Sequence, residues 1–405
     1  MKQLSLFFIL PFFSILFCCS SGGNDNSEKS IDGLEIIKVD LSKAREGKLS
    51  EFFEPEIEYI WLKDDVEGAQ LGNLNKVFFR EDKIFTLDIF GCKCIQIFDR
   101  EGNFLSKIRA YGEGPKQYKD FDDATIVNNE VLLLGVVPPK LMWFSTEGEF
   151  LKEEKLKDFT GTGIYSENEK RYYFYSNPRE PGAYFLQSVD SIFQDTLSTI
   201  PYNENRYYGS FSEKNSFKKS SNSIYFGMPF NDTIYQTHSG KLIPKIVFDF
   251  GQNAQNNEEL KKMEENSNPL EELDFINKKA KLYFVPHQWF ITESLLYSDF
   301  MYRGESFNVF FDRYNQIPYV LGRPINDDLN EGFDPFSINY QFNQAKVGTI
   351  ISGKGLFDIL QKKKAELGQE GFEEYVKGKG KNFAQAAFAA KDSENPVLIV
   401  YSVEK

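Results

Sequence analysis

The stretch YGEGPKQYKDFDD, beginning at Tyr111, holds two glycines, a proline, two tyrosines and six charged residues within thirteen positions. Glycines on either side of Glu113 let a backbone come close to a partner, which makes Tyr111, Glu113, Lys116 and Tyr118 candidate ligand contacts. A phosphate-binding loop would run from such glycines into a helix and aim N–H groups at the anion. Here a strand pattern follows and Pro115 removes a donor, so the stretch reads instead as a ligand contact or as a connection that needs glycine dihedrals. A second group of candidates comes from aromatic clusters: RYYFYSNPREPGAYF (171–185), ENRYYGSF (204–211) and FVPHQWF (284–290). Aromatic faces beside Arg suit sugar rings or flat ligands, and Arg179, Tyr207 and Trp289 are the residues singled out there. The same alternation also suits a packed core. There is no Ser-His-Asp order and no carboxylate pair at meaningful spacing. The two histidines, His238 and His287, occur without a Cys-x-x-Cys or His-Glu-x-x-His pattern, so neither a metal nor another cofactor is expected. A formal charge of −13 repels phosphate backbones and argues against nucleic acid as a partner.

The elements that must position these residues are strands. FDREGNFL at Phe98 is followed 46 residues later by FSTEGEFL at Phe144, with five of eight positions identical. Each copy reads as a strand end, a turn closed by glycine and a new strand, and the period suits a four-stranded propeller blade of roughly 40 to 50 residues. KIFTLD, CIQIFD and FLSKIRA form three strands in a row, with ATIVNNEVLLLG as the fourth. YFLQSVDSIFQDTLSTI, DTIYQTHSGKLIPKIVF and VFFDRYNQIPYVL continue the series. Charged, helix-forming sequence near 255–282 and again at 355–367 reads as insertions. Setting these aside leaves about six units, so the fold class is an all-β, six-bladed β-propeller, with seven blades as the other count. An aromatic content of 16%, with 40 Phe and 21 Tyr, agrees with short strands and turns. Closure of the ring is expected from the apolar segments IEYIWL (57–62) and NPVLIVYSVEK (395–405), paired in one blade. Cys92 and Cys94, two apart in a strand, would share a face with poor geometry for a mutual disulfide and are read as small buried hydrophobes.

The N-terminus reads as an address. MKQLSLFFILPFFSILFCCSSGGN carries Lys2 and then an apolar run of signal-peptide length. It resembles a bacterial lipobox, which implies lipid attachment at Cys19, with Leu16 three places before it; Phe17 departs from the usual small residue and leaves Cys18 as the alternative. The expected organisation is a signal peptide over 1–18, a tether and lead-in over 19–54, and one propeller over 55–405. The lipobox-like start, IFDREGNFL running into YGEGPKQY, and the terminal NPVLIVYSVEK together resemble the six-bladed β-propeller lipoproteins of Bacteroidetes, relatives of the NHL-repeat propellers. In that family a blade hairpin leads into Gly-x-Gly-Pro-Gly-Glu-aromatic. Gly112, Gly114, Pro115 and Tyr118 match, whereas Lys116 and Gln117 replace Gly-Glu, so no role of that carboxylate is carried over. The resemblance implies a fold and an address but no activity. The expectation is a propeller held in the cell envelope, at the outer membrane, by its lipid, and serving as a binding or scaffolding module for a small molecule, glycan or protein. The alternative is a lyase or hydrolase acting on glycan or peptide at the channel mouth.

Overall fold

The computed structural model describes residues 33–156, 161–178, 180–209, 215–286, 288–322, 325–329 and 338–403. Two strands that come first in the chain, β1 (Glu35–Lys38) and β2 (Phe53–Trp61), join sheets made much later. Blade 1 is β3 (Lys76–Arg80), β4 (Lys83–Asp88), β5 (Cys94–Asp99) and β6 (Phe104–Ile108). Blade 2 is β7 (Asp120–Val127), β8 (Glu130–Val137), β9 (Pro139–Ser145) and β10 (Phe150–Lys155). Blade 3 is β11 (Thr162–Ser166), β12 (Arg171–Tyr175), β13 (Tyr184–Asp190) and β14 (Thr196–Pro201). Blade 4 is β15 (Phe217–Ser220), β16 (Ser223–Phe226), β17 (Thr233–His238) and β18 (Lys241–Asp249), with β1 added in parallel to β18. Blade 5 is β19 (Trp289–Ile291), β20 (Leu295–Tyr302), β21 (Glu305–Asp312) and β22 (Ile317–Gly322). Blade 6 is β23 (Tyr340–Gln341), β24 (Lys346–Ser352), β25 (Pro396–Val403) and, outermost, β2.

The number of blades is settled by their seams. A middle strand packs on both faces, so β5 (CIQIFD) and β8 (EVLLLGVV) are nearly continuous apolar runs, whereas the outer strand β10 (FLKEEK) is largely solvated. Six apolar clusters join successive blades: Phe85, Phe121 and Leu133 between blades 1 and 2; Leu132, Trp143 and Tyr172 between 2 and 3; Phe185 and Phe226 between 3 and 4. Ile246, Phe248 and Leu296 join 4 to 5; Phe310, Val347 and Ile399 join 5 to 6; Val77, Ile84 and Leu398 join 6 back to 1. The count is therefore six rather than seven. Closure pairs the two ends of the chain as the sequence predicts, with Ile57 opposite Tyr401 and Trp61 opposite Val397.

The repeated octapeptide is the hairpin between the third and fourth strands of blades 1 and 2. Asp99 accepts from the N–H groups of Glu101 and Asn103 at 3.0 and 2.7 Å. Ser145, 46 positions on, accepts from those of Glu147 and Glu149 at 3.2 and 3.3 Å. Asp190 and Asp312 cap the corresponding turns of blades 3 and 5. The phase of the repeat differs from the sequence reading by one strand: the innermost strand of blade 1 is KVFFR, and ATIVNNEVLLLG is the hairpin β7–β8, turned by Asn128 and Asn129 at φ 50° and 63°.

Two ends of the ring follow from the meander. One carries the hairpins between first and second and between third and fourth strands. Turns of different blades touch there: Arg80 and Asn168 donate to Asn129 and to the Asn222 carbonyl of the next blade, and Gln344 of blade 6 donates to the Ser221 carbonyl of blade 4. The other carries the turns between second and third strands and every connection from blade to blade. Both helical insertions open from this connector end. α1 (Asn257–Asn266) and α2 (Pro269–Lys278) follow β18, and α3 (Gly353–Lys377) and α4 (Lys381–Ala390) lie between β24 and β25. The second insertion runs past the expected Leu367 because Gly368, at φ 68°, kinks the helix without ending it.

The cysteine reading is corrected. Cys92 and Cys94 form a disulfide, with Cα atoms 5.2 Å apart. Cys92 lies in the turn before β5, and Lys93 at φ 50° swings the two side chains together, so the shared-strand argument does not apply. The buried Asp88 carboxylate fastens that turn, accepting from Gly72, Asn73, Gly91 and Cys92 N–H groups at 2.6–3.0 Å.

Candidate ligand site in the central channel

The innermost strands β3, β7, β11, β15 and β23 with their flanking residues surround a cavity of about 250 Å³. Among the described residues, none of blade 5 lines it. The Gln341 side chain donates to the Ile291 and Lys219 carbonyls at 2.8 and 2.9 Å and accepts from Ile291 N–H at 3.2 Å, bridging blades 6 and 4 across the short β19. Phe78, Phe79, Phe217, Tyr340 and Phe342 supply apolar wall, with Phe79 and Phe342 stacked at 4.6 Å. Burial pushes the Tyr340 hydroxyl up to about 12, so it stays protonated at neutral pH.

Charge is concentrated in the same wall. Lys76 and Arg80 come from blade 1, Asp123 from blade 2, Glu167 from just after β11 in blade 3, and Lys218 and Lys219 from blade 4. Buried Asp123 accepts from Lys76 Nζ at 2.8 Å and from the Ala124 and Gly163 N–H groups at 2.8 and 3.0 Å. Glu167 pairs with Lys219. Arg80 donates from Nε and Nη2 to Asn129 Oδ1. Lys218 is buried, its ammonium 5.9 Å from the Trp289 ring centroid. Sequence reading missed all six. KVFFR and FKKS do show charges framing a short apolar strand, but nothing in the residues says which strands lie innermost.

The residues expected from sequence lie elsewhere, and none of the described ones lines this cavity. The Tyr111–Tyr118 loop connects blade 1 to blade 2. Gly112 N–H donates to the Tyr118 carbonyl at 2.9 Å, and Tyr118 N–H to that of Ala110 at 2.8 Å. Tyr118 is buried, its hydroxyl donating to the Lys93 carbonyl at 2.8 Å; burial raises its pKa. Gln117, standing where the resemblance expects Glu, accepts from Gly114 N–H at 2.8 Å. Lys116, standing where it expects Gly, adopts φ 61° and lies over the Phe150 ring. Glu113 is exposed and pairs with Lys119 at 2.5 Å, which holds its carboxyl below the usual range. Tyr111 is exposed beside Arg109 and Lys93. Tyr207 is fully buried, donating to Glu272 at 2.5 Å, and packs α1 and α2 onto blade 4 with Phe230, Leu260 and Ile276. Trp289 is fully buried, its indole N–H donating to the Asn215 carbonyl at 2.8 Å. Cys18, Cys19 and Arg179 lie outside the described residues. Among the described residues no group of three or more His, Cys, Asp or Glu is placed to hold a metal, and no helix is long and apolar enough to cross a membrane.

Residues 34–402 match the family described as Domain of unknown function (DUF4934). The chain belongs to that DUF4934 family. The family match therefore covers the whole ring, including the lead-in strand β1. Among solved structures, a Bacteroides fragilis protein described as exported superimposes with a TM-score of 0.72 at 16% identity, over 92% of this chain and 100% of that one. It shares the fold. A member of the DUF4221 family from Bacteroides vulgatus gives a TM-score of 0.42 at 11% identity, over 73% and 82%. A protein from Bacteroides caccae gives 0.34 at 13%, over 62% and 81%. No curated protein matches the DUF4934 chain.

Proposed function

We propose that this DUF4934 chain is a lipid-anchored propeller of the cell envelope, at the outer membrane, that binds a small ligand in its central channel. The observation that carries the binding reading is the cavity of about 250 Å³, walled by five blades and mixing aromatic faces with a few charged groups, the usual composition of a ligand site. The address rests on the signal-like and lipobox-like start at Lys2 to Cys19, and the structural relative described as exported agrees with it. Kinship with the NHL-repeat lipoproteins rests on the blade hairpin running into Gly112, Gly114, Pro115 and Tyr118.

Binding is favoured over catalysis by the state of the channel carboxylates. Asp123 is bound by Lys76 and two backbone N–H groups, and Glu167 by Lys219. A general acid needs a carboxyl whose pKa is raised toward the working pH. Among the described residues, Asp232 is the carboxyl that burial pushes up to about 6, and it does not line the cavity.

The test is a screen of small molecules, glycans and peptides for thermal stabilisation of the full chain in detergent. A hit should lose its effect when Lys76 or Phe217 is changed and keep it when Glu113 and Lys116 are both changed to Ala. The reverse pattern would move the site to the Tyr111–Tyr118 loop. Separately, Cys19→Ser should release the protein from the membrane fraction; retention with fatty-acid labelling would refute attachment there.

A further inference from the structure

We infer that the Cys92–Cys94 disulfide is an exchange site that oxidises cysteine pairs in extended peptides; it lies at the connector end, outside the channel cavity, and does not depend on the reading of that cavity. Only Lys93 separates the two cysteines, so the loop that the bond closes removes little entropy from the unfolded chain. What a bond adds to the fold is, by linkage, what the fold adds to the bond. A disulfide that contributes so little is not shielded from passing thiols by folding, unlike one that ties distant segments. Asp88 holds the same turn through the N–H groups of Gly72, Asn73, Gly91 and Cys92. The turn is therefore fastened whether the sulfurs are joined or apart.

The two cysteines differ in access. Cys94 opens β5 and is fully buried, whereas Cys92, in the turn before it, is half-buried. An incoming thiolate therefore meets Cys92 first. Cations stand at this residue: Arg109 Nε donates to the Cys92 carbonyl at 3.1 Å, and Lys93 follows it in the chain. Positive charge beside a sulfur favours it as a leaving thiolate. Arg109 and Lys93 both lie against the Tyr111 ring, 5.7 and 5.6 Å from its centroid. Tyr111 is exposed, and Phe90, in the same turn as Cys92, is 70% exposed. Two uncovered aromatic faces beside a reachable disulfide suit the apolar side chains of an extended, unfolded peptide. In the exchange a peptide thiolate attacks Cys92 Sγ, the Cys92–Cys94 bond breaks, and Cys94 leaves as a thiolate that takes up a proton. The second peptide thiolate then attacks the peptide sulfur of the mixed disulfide, and Cys92 leaves and is protonated in turn. Two electrons pass from peptide to protein, so the peptide ends with a disulfide and the protein with two thiols.

The experiment mixes the oxidised full chain, in detergent, with a reduced synthetic peptide carrying two cysteines flanked by phenylalanines, and follows both by mass spectrometry. The expected result is formation of peptide disulfide with matching new thiols mapped to Cys92 and Cys94, at a rate that rises in proportion to peptide concentration. No exchange in the folded protein would overturn the inference. A rate that levels off with peptide concentration would also overturn it, because the bond would then open only when the protein unfolds. This measurement uses the unaltered chain and stands whether or not the variants fold. In the reverse direction, Cys94→Ser should capture an oxidised peptide through Cys92 about tenfold faster than Cys92→Ser captures it through Cys94. Equal capture would overturn the assignment of Cys92 as the reacting sulfur. Phe90→Ser should slow exchange with the peptide about fivefold and leave exchange with dithiothreitol unchanged. A Phe90→Ser protein that reacts with the peptide as fast as its parent would overturn extended peptides as the substrate class.

Discussion

The hairpin end of the ring and its connector end are built on different principles. At the hairpin end the same short turn recurs, capped by Asp99, Ser145, Asp190 and Asp312 at matching positions of four blades. At the connector end each join is individual. One is the glycine loop Tyr111–Tyr118, one is clipped by the Cys92–Cys94 disulfide, and two carry helices. A tight turn is dictated by local dihedrals and one polar cap, so it can be copied from blade to blade. A blade-to-blade connection has to cross from the rim to the channel over a neighbour's surface. Its conformation is therefore set by what it lies on, and it is free to differ each time.

Four perturbations test that contrast, beginning with the feature both ends share. Deleting Asn395–Lys405 removes β25, which sits between β2 and β24 in the closing blade. Its loss should exceed the about 5–15 kcal/mol of a typical domain and leave a protein that aggregates without a cooperative melt. A truncated chain that still melts cooperatively near the parent temperature would show that closure is decorative.

Gly102→Val attacks a single hairpin-end turn. Gly102 has φ 78°, and a Cβ there would meet the Trp61 carbonyl oxygen at 1.9 Å. Strain plus displacement should lower stability by about 4 kcal/mol, read from denaturant unfolding. Gly182→Ala is the control, because Gly182 has φ 86° but open space around it and should lose only about 1 kcal/mol. Equal losses in the two variants would mean that the dihedral alone matters and that the turn is not held against blade 6.

Asp232 probes the connector end, in the segment between β16 and β17. Burial raises its pKa from 3.8 to about 6, although it accepts from Phe284 N–H at 3.2 Å. A carboxyl raised in the folded state stabilises fully below its unfolded pKa, and that contribution disappears as pH rises through the folded value. Wild type should therefore lose roughly 3 kcal/mol between about pH 4 and pH 6 from this group. Asp232→Asn should escape that loss and be the more stable protein at pH 8, with the advantage gone at pH 3.5. A stability difference independent of pH would refute the assignment.

The smallest effect is expected from the disulfide. The loop it closes is so short that the chain-entropy gain is only about 1.5 kcal/mol. Its turn is also held by four N–H bonds to Asp88. Reduction should lower the melting temperature by no more than a few degrees and loosen the adjoining loop, where the Tyr118 hydroxyl donates to the Lys93 carbonyl. Hydrogen exchange that rises at 110–120 without a large shift in the melt is the expected signature. Global unfolding on reduction would show that the connector end depends on this bond.

Strand chemistry and its period were legible in the residues themselves. FDREGNFL and FSTEGEFL announce a turn because Asp or Ser, glycine and flanking aromatics dictate dihedrals locally, and IEYIWL and NPVLIVYSVEK announce strands too apolar to remain at an edge. Six units, two helical insertions and the pairing of the chain's ends follow from that pattern. What only the tertiary structure decided was which strand of each unit lies innermost, and with it the site. KVFFR and FKKS are ordinary half-polar strands until the ring places them against the channel, three blades apart, where Lys76 and Lys218 face one cavity. The loop at Tyr111 and the buried Tyr118, Tyr207 and Trp289 attract attention by composition, yet the described structure places them outside that cavity. A turn depends on neighbours in sequence, whereas a channel wall is assembled from segments 40 to 120 residues apart, and nothing local in any one segment encodes what stands across from it.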